Sequence, residues 1–261
     1  MRQVLLCTVI IRLLLGTLCG CSVSETSPKT EAVIPEPPLS PETEQPQPEL
    51  MPDTPEDPEE ENPLLVQITE LQYEYLVASQ RAEYIEFKVL AAGNLKGLQV
   101  HIMYEANNPF IYNFPPVDVA EGEYITLHLR TYQNTCIDEL GNNLSLSGGN
   151  DSCPTARDLW AAGTLKRLHQ TDIVILQESN GVIHDAVCMN GTPGKPWNKN
   201  QSHFTAILED LKNKSAWKSP DGVDISTASI YKSVNRYEGV RNTHSIQDWY
   251  IGGTSPGLAN K

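Results

Sequence analysis

The sequence predicts an all-β fold, an immunoglobulin-like antiparallel β-sandwich with an inserted loop and one or two short helices. Three observations lead there. Ala82–Leu90 (AEYIEFKVL) alternates Ile85, Phe87 and Val89 with Tyr84, Glu86 and Lys88, the period-2 pattern of a strand with one buried and one wet face. Segments of the same period recur on both sides of it, separated by Gly, Asn and Pro turn signals. A clear helical repeat occurs at one place, Ser202–Lys214.

Leu64–Leu71 (LLVQITEL) is the expected first strand, with Val66 and Ile68 turned inward. Gly93-Asn94 marks a turn, and Leu98–Tyr104 alternates again. Phe110–Phe114 is a short strand stopped by Pro115-Pro116, and Gly122–Arg130 directs Ile125, Leu127 and Leu129 inward. Thr131–Gln170 reads as a long insertion. Pro154, with Asp151 or Ser152 before it and Gly163 after it, predicts a short helix there. Asp172–Gln177 (DIVILQ) is apolar enough to be central in its sheet. Asn180-Gly181 predicts a tight hairpin into Val182–Met189. In Ser202–Lys214, Phe204, Ile207, Leu208 and Leu211 recur at helical spacing, with Ser202 as cap. Thr227–Tyr231 and Trp249–Ile251 are expected to supply the last strands.

The N-terminal quarter differs in kind. Met1–Cys21 has a basic start, an apolar run and then small residues, which is the pattern of an export signal. Ser22–Pro63 carries twelve Asp or Glu against Lys29 alone, many prolines and no aromatic residue. Such a composition cannot bury a core and favours an extended, self-repelling linker. At ~3.1 Å per residue its reach is on the order of 130 Å. The whole chain carries −14; residues 1–20 contribute +2 and residues 22–63 contribute −11, leaving −5 for the rest.

Leu18-Cys19-Gly20-Cys21 resembles the lipobox of bacterial lipoproteins. The resemblance implies a signal peptide over residues 1–20, cleavage before Cys21 and acylation of that residue. Residues 21–63 then form a lipidated, disordered stalk, and 64–261 a domain held at the cell envelope on its periplasmic or surface face.

The order of short motifs in residues 64–261 resembles the lamin-tail domain. Ile68-Thr69-Glu70 matches the opening strand of that family, and Glu83-Tyr84-Ile85-Glu86-Phe87 its glutamate–aromatic–isoleucine–glutamate strand. Leu95-Lys96-Gly97-Leu98 and Val119–Tyr124 match its turn and next strand entry, with Leu98 where Trp is usual. Gly181–Val187 contains its Asp185-Ala186-Val187 hairpin strand. Asp248-Trp249 and Ser255-Pro256-Gly257-Leu258-Ala259-Asn260 match its closing segment, with Ser255 for Thr, and Asn242 upstream stands where Asp is common. The resemblance implies an immunoglobulin-like sandwich with structural roles for Glu83, Ile85, Glu86, Asp185, Asp248, Trp249, Pro256, Gly257 and Asn260. It implies a tethered binding or scaffolding role, an envelope or surface protein as partner, and no catalytic residues.

The chemistry motifs agree with that. The six histidines lack metal-ligand spacing, and the chain has no dinucleotide fingerprint or phosphate loop. No cofactor or metal is expected. Two other function classes stay in view. A nucleic-acid-binding lamin-tail domain would need clustered cations. The stretch of Lys195, Lys199, Lys212, Lys214 and Lys218 is instead interleaved with Glu209, Asp210 and Asp221 in a region of net −5. A metal-dependent envelope hydrolase would gather Asp138, Glu139, Asp151 and Asp158 around a cation. Among the thiols, Cys136 and Cys153 flank a loop whose closure by a disulfide would contribute about 3 kcal/mol in the chain-entropy model. Cys188 reads as a small buried hydrophobe.

Overall fold

The computed structural model describes residues 64–105, 107–191 and 201–260. The expectations for the signal peptide, Cys21, the acidic segment, Lys195 and Lys199 concern residues outside those described. The strands are β1 (Leu65–Gln72), β2 (Tyr84–Ala91), β3 (Gly93–Asn94), β4 (Leu98–Ile102), β5 (Phe110–Asn113), β6 (Asp118–Val119), β7 (Tyr124–His128), β8 (Ala156–Trp160), β9 (Asp172–Glu178), β10 (Ile183–Asn190), β11 (Val223–Asp224), β12 (Lys232–Arg236) and β13 (Trp249–Gly253). One α-helix, α1, spans Gln201–Asn213. No helix among the described residues is long and apolar enough to cross a membrane.

Two sheets form the sandwich. The first has six strands in the order β13-β12-β1-β2-β7-β8, the second five in the order β11-β10-β9-β4-β5, and β3 and β6 make a small ribbon. The alternation read in β2 points Ile85, Phe87 and Val89 into the core with Val66, Ile68, Ile125 and Leu127. Leu98, Val100, Ile102, Val174 and Leu176 of the second sheet join the same cluster. Phe87 meets Phe114 edge to face, centroids 5.5 Å apart, a geometry that suits the ring quadrupoles. β9 is buried along most of its length because the second sheet is covered on both faces. The outer cover is α1, whose Phe204, Leu208 and Leu211 are buried and whose His203 Nε2 donates to the Met103 carbonyl at 3.0 Å. Ser202 lies within the helix rather than capping it.

The Asn180-Gly181 hairpin forms as expected, but Gly181 alone takes positive φ (+91°). The Gly181 amide donates to the Glu178 carbonyl at 2.9 Å and the Glu178 amide to the Val182 carbonyl at 2.8 Å. This is a three-residue turn closed by a left-handed glycine.

Four expectations change. Pro154–Trp160 is not a helix: Ala156–Trp160 is strand β8, paired parallel to β7 from Tyr124↔Ala156 to His128↔Trp160. A parallel neighbour requires a long crossover, so residues 131–155 are that crossover and not an insertion outside the core. β10–β11 is also parallel, so the sandwich is antiparallel except at two edges. The penultimate strand is Lys232–Arg236, not Thr227–Tyr231; it has no apolar alternation because its Ser233, Asn235 and Arg236 are buried polar groups. Finally, the outer face of β2 is not wet. Tyr84 and Glu86 are fully buried beneath the chain's last residues.

Where β1 approaches β10 of the other sheet, side chains replace a missing ladder. β1 pairs with β12 only at Glu70 and Leu71, after a bulge at Thr69. Ile68 therefore has no strand partner on that side. Its N–H donates to Asp185 Oδ2 of β10 at 3.0 Å, and its carbonyl accepts from Arg236 Nε at 2.7 Å. Arg236 Nη2 in turn reaches Asp185 Oδ2 at 2.6 Å. The guanidinium lies 4.2 Å above the Trp249 ring, with Asp248 at 3.7 Å from Nη1. Asp248 is held by the Thr243 and Ser245 amides and closes a capping box with Ser245. Burial raises the Asp185 carboxyl, and the Arg236 charge opposes that rise.

Asp185, Arg236, Asp248 and Trp249 are buried, so removing one partner of the ion pair strands the other's charge. Asp185→Ala should therefore destabilise the domain by about 3–5 kcal/mol in urea unfolding. The double variant Asp185→Ala, Arg236→Met should cost less than the two single changes together. Additive losses would show that the two side chains act independently.

Candidate functional site

The outer face of the first sheet carries buried acids that are engaged from within. Glu70 and Glu86 are directly opposite across β1 and β2. Glu70 accepts from Tyr84 Oη at 2.5 Å and from the Ser255 hydroxyl at 3.0 Å. Glu86 accepts from Thr69 Oγ1 at 3.0 Å and from the Gly257 amide at 2.5 Å. Asn260 Nδ2 donates to the Thr69 carbonyl at 2.8 Å, and Asn260 N to Glu238 at 2.8 Å. Residues 255–260 thus form a strap across β1 and β2. Gly257 sits at φ +73°, and a Cβ there would meet Thr155 Oγ1 at 2.7 Å. Pro256 is the turn residue between the two anchored positions, Ser255 and Gly257.

The four acids considered as a cation cluster are spread along β8. Glu139 accepts from the Leu146, Ser147 and Asp158 amides at 2.9–3.1 Å. Asp138 accepts from the Trp160 amide at 2.7 Å. Asp158 pairs with the buried His128 at 2.7 Å, whose ring stacks on Trp160 at 3.8 Å, and Asp151 pairs with Arg81 at 2.8 Å. Among the described residues no group of three His, Cys, Asp or Glu could hold a metal ion. Glu83 clasps Arg130 Nε at 2.5 Å and the Arg167 amide at 2.7 Å, pinning the return from β8 to the start of β2. Its neighbour Ile85 lies in the core.

Cys136, Cys153 and Cys188 are all free. The expected Cys136–Cys153 bridge is not formed; Cys153 Sγ instead lies 2.9 Å from Thr155 Oγ1. Cys188 is buried, as its strand context predicted.

Three of the four edges of the two sheets, β8, β11 and β5, offer little to a partner. The β8 edge is occupied by the carboxylates of Asp138 and Glu139. β11 has two residues, and β5 has four with the Arg167 guanidinium 4.0 Å over Phe110. Short and covered edges resist strand addition.

A groove of about 450 Å³ opens at one end of the sandwich. Leu64, Leu65 and Ala91 line it from the first sheet, and Glu178, Val182, Ile183 and His184 from the β9–β10 hairpin. Leu65 is 46% exposed and Val182 55%, so the walls carry apolar surface that folding leaves in water. His184 Nε2 lies 3.1 Å from Glu178 Oε1, and its Nδ1 has no hydrogen-bond partner among the described residues.

The resemblance had marked Asp185, Asp248 and Trp249, and these meet around Arg236; it had marked Glu86, Gly257 and Asn260, and these meet under the strap. Glu70 was read only as part of the opening-strand match, and Arg236 and the Glu178–His184 pair were not singled out. A charged residue in the polar run KSVNR was the one available signal for Arg236.

Comparison with known proteins gives a relative but no activity. An uncharacterized protein of Treponema pallidum (strain Nichols) is 30% identical over 131 residues, which is 50% of this chain and 33% of that protein. The chain thus spans about a third of the length of the curated relative it matches. A family model described as TP_1001_2nd, protein second domain, matches residues 65–251, from the start of β1 into β13. The chain belongs to that family.

Proposed function

We propose that the chain is an envelope lipoprotein, anchored through Cys21, whose acidic Pro-rich stalk presents a lamin-tail-like sandwich that binds a partner protein through the apolar groove. The observation that carries this reading is the contrast between the acids and the groove. The acids of the first sheet's outer face and of β8 are engaged by internal donors. At the groove, Leu65 and Val182 stand half in water around a volume of about 450 Å³.

Energetically the groove is suited to a modest, specific contact. Burying apolar surface is worth roughly 25 cal/mol per Å², and the Glu178–His184 pair supplies one polar contact to fix orientation. The groove includes Leu64, the first described residue after the acidic segment. The motif order supports the lamin-tail reading, and the Leu18–Cys21 pattern supports the anchor.

Two measurements test the reading. A photo-crosslinking residue at Val182, introduced in intact cells, should capture a discrete envelope protein, and one at Asp210 on the exposed side of α1 should not. Equal capture at both positions would remove the groove from the account. Mass spectrometry of the mature N-terminus should find Cys21 first and carrying acyl chains, each buried CH₂ contributing about 0.8 kcal/mol to anchoring. An unmodified Cys21, or a mature N-terminus elsewhere, would contradict the anchor.

A further inference from the structure

The Glu70–Glu86 pair has a feature that the proposed binding role does not use. Two carboxyl groups, fully buried and opposite one another on neighbouring strands, share a site with no cation. The groups that face them are neutral donors from every element in contact: Thr69 on β1, Tyr84 on β2, Ser233 on β12, and Ser255 and Gly257 on the strap. The nearest cations are committed elsewhere. Lys88 Nζ is held by Glu238 at 2.5 Å and by Tyr124 Oη at 2.9 Å, and Arg81 by Asp151 at 2.8 Å. Glu238 adds a further negative charge on the strap side, where it accepts from Asn260 N.

Ionising both carboxyls here would leave two uncompensated charges in a dry, low-dielectric layer. The strap makes that layer dry. It is anchored by polar contacts: Ser255 to Glu70, Gly257 to Glu86, Asn260 to Thr69 and Glu238, and Thr155 Oγ1 to the Gly257 carbonyl at 2.8 Å. Leu258 within it is exposed, so little apolar burial opposes its departure.

We propose that residues 255–260 are a pH-sensitive strap, docked over β1 and β2 while the Glu70–Glu86 site keeps a proton and released when both carboxyls ionise. Release would hydrate the two carboxylates and uncover the outer face of β1 and β2, with Tyr84 and the end of β8 beside it.

The sign follows from linkage. Burial raises both carboxyls, Glu86 from an ordinary 4.5 to about 8, against the opposing hydrogen bonds from the strap. The docked form therefore binds the proton more tightly than the released form. Docking is strongest below about pH 4.5, weakens as pH rises, and stops changing above about 8.

The test is NMR on the full chain between pH 5 and 9, following the Glu86 side-chain carboxyl carbon and the Gly257 amide. The expected result is a Glu86 midpoint near 8, with the Gly257 amide moving in step from a docked to a released position. Glu86→Gln keeps a carbonyl acceptor for the Gly257 amide without the charge, and should hold the docked position across the range. Gly257→Ala places a Cβ against Thr155 at positive φ, and should show the released pattern at every pH. A Glu86 midpoint near 4.5 would overturn the proposal. So would a Gly257 amide that stays docked at pH 9 while Glu86 is ionised. Neither result bears on the groove or on Cys21.

Discussion

The sandwich depends on how Ile68 is held. Its backbone N–H and C=O face the seam between the two sheets, where β12 has diverged and no strand supplies a ladder. Leaving a buried N–H and C=O unpaired would cost several kcal/mol, a large part of a typical domain's net stability. Asp185 from one sheet and Arg236 from the other close that gap at 3.0 and 2.7 Å, and they neutralise each other in doing so. The contact is thus a hydrogen-bond substitute, an ion pair and an inter-sheet clamp at once. Trp249 and Asp248 at the start of β13 complete it, which ties the last strand to the first.

The same economy runs through the rest of the polar interior. Glu139 replaces a missing strand along β8, Glu83 fixes the return to β2, and Glu70 and Glu86 hold the strap. Acids make suitable staples because one carboxylate accepts from two or three amides that no strand reaches. The cost is a layer of buried negative charge. Much of it is balanced by Arg81, Arg130, Arg157 and Arg236, and at the Glu70–Glu86 pair two buried carboxyls face each other with no cation between them.

Half of the fold was legible in the sequence for a local reason. Inward alternation in β1, β2, β4 and β7, the apolar run of β9 and the Asn180-Gly181 turn follow from neighbours within a few residues, and they stand where periodicity put them. The failures have long-range causes. Glu86 reads as a wet-face residue until Gly257, 171 positions away, covers it. Ala156–Trp160 follows a proline and reads as a helix, but its partner β7 lies across a crossover that no local pattern announces. β12 has little apolar periodicity because Arg236 is paid for by Asp185, a residue of the other sheet. The groove was not legible at all, since Leu65 and Val182 become neighbours only when the hairpin folds over the start of β1.

The most direct test of the clamp is the exchange of the Arg236 Nε–H with solvent, followed by NMR. If that hydrogen is locked between the Ile68 carbonyl and the core, it should exchange only on global unfolding, as slowly as the central amides of β2. Exchange at the rate of a surface guanidinium would mean that the seam is open to water and that the two sheets are held by their apolar faces alone.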